Sequence, residues 1–485
     1  MTEQTLSILL ISCYELGHQP ANLAVPMGFL RRAGYSAEAM DLSVEGFDEQ
    51  KVKRAQFIGV SVPMHTALRL GLRVAEAVRR INPRSHICFY GLYASLNADY
   101  LLETVADSVI GGEFEQSLVA LIESIDKGSQ IGTNDRRSLP VLARLDFPLP
   151  ERRGLPALER YAKLDCNGEQ QLAGYVEASR GCLHHCTHCP IPPVYNGRFF
   201  VVPESVVLED IRQLVKSGAR HMTFGDPDFL NGPTHSLRIA RAMHEEFPEL
   251  TFDFTAKIEH IIKYRSLIPE MALAGCVFVV SAVESLSDTV LARLEKGHTR
   301  RDVECALKIL QGAGIALRPS FVSFTPWTTI DDFIEVLDFV RSHDLIDHVD
   351  PVQYSIRLLV PPGSLLVSQP DTDVWMGPLA QESFSYGWSH TDPRMDELHK
   401  QVAQIVEQAA QRNEDPALTF YRIRDAASHL NDEGETIRFV PEISPTRVRP
   451  PRLTEAWFCC AEPTQDQFSP LEKKLVSLRA STSNE

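Results

Sequence analysis

A chain of 485 residues exceeds what one hydrophobic core usually serves, so its length calls for two or three domains. Hydrophobic residues at 44% and charged residues at 23% exclude a disordered or fibrous protein. The net charge of −16, without a long Lys/Arg run, argues against a surface built to neutralise many phosphates, so no nucleic-acid partner is expected.

The first ten residues lack the basic start and small-residue cleavage site of a signal peptide. No stretch reaches the roughly 18–20 uninterrupted apolar residues of a spanning helix. A cytoplasmic protein with no membrane partner is expected. Residues 7–11 form a compact apolar strand run, and residues 23–32 have helical spacing closed by Gly34. Residues 57–62 repeat the strand pattern and 67–80 the helix pattern. Further strand runs at 87–90 and 108–110 are each followed by glycine: Gly91, then Gly111 and Gly112. This alternation over residues 1–126 predicts a parallel sheet with helices on both faces, which binds ligands where strand C-termini meet loops.

Over residues 127–170 the periodicity fades and Pro, Arg and Asp accumulate, as in a linker. A second alternation fills residues 171–368, with strands expected at 175–178, 221–224, 251–255, 277–281, 316–323 and 352–358. Six βα units in about 185 residues predict a partial TIM-type barrel, whose active site lies at the strand C-termini. Residues 369–485 read as a helical region, with helices at 394–409 and 416–430, ending in a proline-rich tail that holds Cys459 and Cys460.

Ten cysteines are too sparse for a disulfide scaffold, but Cys182, Cys186 and Cys189 fall within eight positions just past the first barrel strand. Three thiolates on one loop can hold three irons of a [4Fe–4S] cubane, leaving the fourth open to a small chelating molecule. The rival reading is a zinc knuckle completed by His184, His185 or His188.

The CxxxCxxC spacing at this place resembles the radical S-adenosylmethionine superfamily, over about residues 146–365. The resemblance implies a [4Fe–4S] cluster on Cys182, Cys186 and Cys189, S-adenosylmethionine on the open iron, and an electron donor such as flavodoxin or ferredoxin. His188 stands where the family has an aromatic residue against adenine. Asp226 and Asp228, in Gly225-Asp226-Pro227-Asp228-Phe229, match the place that receives the methionine amine, with a surface turn as the alternative. Ser281 and Glu284 match the ribose-contacting strand, although Glu284 would also serve as a helix cap. Arg318 and Arg357 would pair with the methionine carboxylate if they point inward and form surface salt bridges if they point outward.

The first domain resembles the cobalamin-binding domains of cobalamin-dependent radical S-adenosylmethionine enzymes. The carrying segments are Gly59-Val60-Ser61-Val62-Pro63-Met64-His65-Thr66, Gly91-Leu92-Tyr93-Ala94-Ser95 and Gly111-Gly112-Glu113-Phe114-Glu115. They imply cobalamin contacts from Gly59, Ser61, Gly91, Gly112 and Glu113. The Asp-x-His-x-x-Gly pattern that supplies a lower histidine ligand is missing between Ser12 and Ala24, although His18 is nearby. Phe458-Cys459-Cys460-Ala461-Glu462-Pro463 resembles the tail of a radical S-adenosylmethionine group named for its CUAEP or CCAEP ending. Selenocysteine can take the second position there, which implies an active chalcogen at Cys460.

Together these readings predict an α/β protein: an N-terminal Rossmann-like cobalamin-binding domain, a partial (βα)6 TIM-type radical SAM barrel, and a helical C-terminal region. The expected function is radical-initiated transformation of a small-molecule substrate, with methyl transfer leading. Radical rearrangement or bond formation to arsenic or selenium held by Cys459 and Cys460 is the alternative among enzymes. A non-catalytic metal or cobalamin sensor is the alternative outside them. An RNA methylthiotransferase would call for a second upstream cysteine triad and a basic RNA-binding domain, and neither is seen.

Overall fold

The computed structural model describes residues 6–129, 132, 136–431, 444 and 447–455. Cys459 and Cys460 lie outside the described residues. Six strands build the first sheet: β1 (Ile8–Ser12), β2 (Ala37–Asp41), β3 (Phe57–Ser61), β4 (His86–Tyr90), β5 (Ser108–Gly112) and β6 (Arg137–Val141). All pair in parallel, in the order 2-1-3-4-5-6. β1 and β3 are buried at every position, because helices cover both faces of a parallel sheet. Helix His65–Ile81 shows why the sequence folds this way, burying Leu68, Leu72, Ala75 and Val78 at helical spacing. The strand order reverses between β1 and β3, which opens a crevice at their C-terminal ends.

The second sheet begins with β7 (Lys163–Cys166) and β8 (Glu169–Val176), joined as an antiparallel pair. The stretch read as a linker therefore contains β6, β7 and the start of β8. A short antiparallel pair follows, β9 (Ser179–Gly181) with β10 (Phe199–Val201). The barrel continues through β11 (His221–Phe224), β12 (Thr251–Thr255), β13 (Cys276–Glu284) and β14 (Ala316–Phe321), each parallel to its neighbour from β8 onward. The sixth strand expected at 352–358 is reduced to one parallel bridge between Phe324 and Arg357. Residues Pro351–Ser355 form a 3₁₀ turn, fixed by Gln353, whose side chain accepts from the Phe321 amide and whose carbonyl accepts from Ser323 Oγ.

A hairpin of β15 (Met376–Ala380) and β16 (Ser385–Trp388) precedes two helices, Pro393–Arg412 and Pro416–Leu430. Each helix starts on an aspartate cap with proline in its first turn, and their Leu398, Val402, Phe420 and Ile423 join the barrel core. The final described strand, β17 (Arg452–Leu453), adds to β7 at the sheet edge, giving the order 14-13-12-11-8-7-17. Among the described residues, no helix is long and apolar enough to cross a membrane.

Candidate active site

The C-terminal ends of both sheets open onto one cavity of about 360 Å³. The first domain lines it with loops that follow its strands: Leu16 and His18 after β1, Pro63 and Met64 after β3, Gly91 to Tyr93 after β4, and Gly112 and Phe114. The barrel contributes the cysteine loop and inward positions of β8, β11, β12, β13 and β14.

β9 and β10 bracket the cysteine loop. Gly181 lies at φ +75°, and a Cβ there would stand 2.4 Å from the Arg198 carbonyl oxygen, so the turn into Cys182 requires glycine. The Thr187 amide and hydroxyl donate to the carbonyls of Leu294 and Arg293, fastening the loop to the segment after β13. All three cysteines line the cavity, and burial raises the Cys182 thiol above its ordinary pKa. The buried Lys296 ammonium lies within electrostatic range of Cys186 and Cys189, where it would offset thiolate charge. Among the described residues, the three thiols are not gathered at single-ion spacing. Four-coordinate zinc with bonds of about 2.3 Å needs its sulfurs roughly 4 Å apart, so the three thiols as placed do not form a zinc knuckle.

Glu284, His188 and Lys296 form one buried group. His188 Nε2 donates to Glu284 Oε1 at 3.1 Å, and Lys296 Nζ reaches the same oxygen at 3.3 Å. Burial alone would raise the Glu284 carboxyl, but Lys296 and His188 outweigh it and bring the pKa down to about 2. Glu284 sits at a β-bulge with φ +65°, a left-handed conformation that is strained for a non-glycine residue and turns this carboxylate toward the cavity. The Asp226 carboxylate accepts from the Ala178 amide at 2.9 Å and Ser179 Oγ at 2.5 Å, and burial raises its pKa to about 7. Asp228 also lines the cavity; its pKa is lowered because the raising effect of burial is overcome by His184 and His260.

Ser281 does not face the cavity. It donates to the Ala256 carbonyl at 2.7 Å, because strand alternation gives the inward positions to Val280 and Ala282. Arg318 lines the cavity, paired with Asp350 at 3.0 Å and with its buried Nη1 making no hydrogen bond. Arg357 takes the outward alternative. It binds Asp396 at 2.8 Å and the Trp388 carbonyl at 2.7 Å, and its guanidinium sits 3.7 Å from the Trp388 ring centroid. It ties the C-terminal helices to the barrel.

In the first domain, Gly91 and Gly112 line the cavity with φ of +107° and +68°. Ser61, at the end of β3, is buried behind the cavity wall beside Tyr90 and does not line the cavity. Gly59 is instead a packing residue, since a Cβ there would meet Leu10 at 2.7 Å. Glu113 departs further from the cobalamin role. It is buried against the barrel, accepts from Tyr195 Oη at 2.8 Å and faces Arg180 at 3.5 Å. Arg180 also pairs with Glu115 at 2.5 Å and Glu177 at 2.9 Å, so one guanidinium joins three carboxylates across the domain boundary, two residues before Cys182. Burial and the neighbouring Glu115 raise Glu113 to about 7 against the pull of Arg180.

Sequence reasoning missed Arg180, Lys296, Tyr175 and Glu455. Glu455 lines the cavity and accepts from Tyr14 Oη at 2.7 Å. Nothing in its sequence context signals this, since β17 acquires its place only by pairing with β7.

Residues 176–340 match the family model of the radical SAM superfamily, and residues 8–122 match that of the B12 binding domain. Residues 176–340 thus form a radical SAM domain. It is paired with a B12 binding domain, and the two domains imply a [4Fe–4S] cluster, S-adenosylmethionine and cobalamin as cofactors. A tRNA-2-methylthio-N(6)-dimethylallyladenosine synthase from Chlorobium limicola is 28% identical over 262 residues, covering 50% of this chain and 56% of that protein. The enzyme of the same name from Mannheimia succiniciproducens is 23% identical, with 60% of its length covered. The chain thus spans less than two thirds of these relatives, and their naming for tRNA leaves the expected absence of a nucleic-acid partner unsupported. Among solved structures, the cobalamin-dependent S-adenosylmethionine radical enzyme OxsB with aqua-cobalamin and S-adenosylmethionine bound superposes with a TM-score of 0.66 at 14% identity, over 99% of this chain and 81% of that one. The radical S-adenosylmethionine methyltransferase TsrM from Kitasatospora setae gives 0.59 at 16% identity, over 75% and 76%. At these identities the likeness is one of fold.

Proposed function

We propose that this radical SAM enzyme cleaves S-adenosylmethionine reductively and uses the resulting 5′-deoxyadenosyl radical to transform a small molecule, with methyl transfer as the favoured outcome. The single observation that carries the reading is the shared cavity, whose walls are the strand-end loops of the B12 binding domain on one side and the cysteine loop on the other. When bound, the cofactors supply the electron that breaks the sulfonium bond and a methyl group on cobalt.

The chain's own residues would do the rest. Cys182, Cys186 and Cys189 would hold the cluster, with Lys296 offsetting its charge. His188, Asp226 and Glu284 present polar atoms to the cavity where S-adenosylmethionine would lie, and the unpartnered Arg318 Nη1 leaves a donor and His188 Nδ1 an acceptor for a bound polar group. Gly91 and Gly112 would border the corrin. Ser281, Arg357, Gly59 and Glu113 would serve packing or the domain interface, since the contacts they make are within the protein.

One observation favours a role for the cysteine tail. Glu455 stands at the cavity wall, and Cys460 follows five positions later, a reach of at most about 18 Å of extended chain. Cys460 would act after radical generation, quenching a product radical or holding a soft atom such as arsenic or selenium.

The test is anaerobic turnover with S-adenosylmethionine deuterated in its methyl group and candidate small molecules. The expected result is 5′-deoxyadenosine together with a product carrying the labelled methyl group. Formation of 5′-deoxyadenosine with an unlabelled, rearranged product would replace methyl transfer with rearrangement. Failure to cleave S-adenosylmethionine would favour a sensor.

A further inference from the structure

Next to the cysteine loop, three side chains from separate elements converge. His184 comes from the loop itself, Asp228 from the segment after β11, and His260 from helix Ile258–Lys263 after β12. Asp228 Oδ2 lies 2.8 Å from His260 Nδ1 and 3.6 Å from His184 Nε2, and the three atoms fall within 4.8 Å of one another. Asp228 and His260 are 0% and 4% exposed. Yet neither His184 Nε2 nor His260 Nδ1 makes a hydrogen bond of acceptable direction. Two buried imidazole nitrogens therefore face one carboxylate oxygen, which also accepts from the Lys257 amide at 3.3 Å, without the alignment of a good hydrogen bond.

We infer that His184, Asp228 and His260 bind a single divalent first-row cation, zinc or iron(II), distinct from the [4Fe–4S] cluster. Two imidazoles and one carboxylate suit such ions, and bonds of about 2.0–2.2 Å place ligand atoms roughly 3–4 Å apart, close to the spacing found here. Asp228 is oriented for the task because its other oxygen, Oδ1, is held by the Leu230 amide at 2.9 Å. Histidine ligands characteristically donate their second ring N–H to a carboxylate. Glu259 Oε2 lies 3.9 Å from His184 Nδ1, beyond hydrogen-bond distance, and would take that place by closing in when the metal binds. Lys257 Nζ, now 3.2 Å from the same nitrogen and 3.4 Å from Glu259, would turn wholly to Glu259 when the metal binds. His184 and Asp228 line the cavity, so the ion's remaining positions would open onto it. This site uses no cysteine, and it assigns Asp228 to a metal in place of the methionine amine. It does not depend on the reaction proposed above.

Cobalt(II) is the probe. The full-length chain carrying Cys182→Ala, Cys186→Ala and Cys189→Ala is stripped with chelator and titrated with Co²⁺. The expected result is weak visible d–d absorption that saturates at one cobalt per chain, without a thiolate-to-cobalt charge-transfer band. Adding His184→Gln or His260→Gln should abolish it, while Glu259→Gln should weaken binding about 10–100-fold. Should the triple variant not fold, elemental analysis of the reconstituted chain with intact cysteines decides the matter. One divalent ion beyond the cluster iron should be present and should vanish in His260→Gln, with cluster absorbance retained. Unchanged metal content or an unchanged cobalt titration in His260→Gln, or no binding at one equivalent, would overturn the inference.

Discussion

Glu284 and Lys296 are a buried pair whose partners cannot be lost singly without cost. Lys296 is 3% exposed and Glu284 8%, and Glu284 also accepts from His188. The shift of the Glu284 carboxyl from 4.5 to about 2 corresponds to roughly 3 kcal/mol at about 1.4 kcal/mol per pKa unit. Breaking a buried pair by removing one partner generally costs about 3–5 kcal/mol, much of it from the orphaned charge. Lys296→Met should therefore destabilise β13 by about 3 kcal/mol, a hundredfold or more in local opening. Glu284→Gln should do the same, and the double variant should cost clearly less than the sum. Hydrogen exchange of β13 amides is the assay, because a multidomain chain need not unfold in one step. The carboxyl is lowered on folding, so its contribution is present above the unfolded pKa and is lost as pH falls from about 4.5 toward 2. Strictly additive single variants, or no loss of protection between those pH values, would refute the coupling.

Three further outcomes follow from the same geometry. Glu113 has its pKa raised to about 7, so its contribution to domain docking should fall as pH rises from about 4.5 through 7 and level off above; thermal unfolding against pH should show that slope, and Glu113→Gln should flatten it. His18 packs at a tilt against Tyr175, ring centroids 4.6 Å apart, with its pKa lowered to about 4 by burial, and the lower-ligand pattern is missing around it. Paramagnetic resonance of bound cobalt should show no imidazole nitrogen hyperfine structure, and a spectrum that changes in His18→Ala would contradict this. Cys460→Ser should keep the cluster and still form 5′-deoxyadenosine while losing substrate turnover. Full turnover in a double Cys459→Ser, Cys460→Ser variant would sink the active-tail proposal.

What was legible in the sequence follows from how each feature is encoded. The buried parallel strands are short apolar runs, so β1, β3 and β4 emerge from local pattern, and the cysteine spacing marks the loop directly. β2 and β6 do not, since Ala37–Asp41 has little apolar content and Arg137–Val141 carries a proline at the sheet edge. The sixth barrel strand fails because Gln353 holds residues 351–355 to the end of β14 through its side chain and carbonyl, which no residue-by-residue propensity anticipates. Among the site residues, most of those on loops after strands line the cavity, whereas the sequence does not separate inward from outward positions along β13 and beyond. Ser281 and Arg357 have the right chemistry on the wrong face. In sequence Glu113, a glutamate after a glycine pair, suggests a ligand contact, while its partner Arg180 lies 67 positions away in another domain.

The most direct test of the account is the iron bound after anaerobic reconstitution, measured in the wild-type chain and in the Cys182→Ala, Cys186→Ala, Cys189→Ala variant alongside 5′-deoxyadenosine formation. The account predicts about four irons and four sulfides per chain in the wild type, and in the triple variant no cluster and no 5′-deoxyadenosine. Any divalent ion left on His184, Asp228 and His260 would appear without sulfide. A triple variant that retains four irons with sulfide, or that still cleaves S-adenosylmethionine, would contradict it.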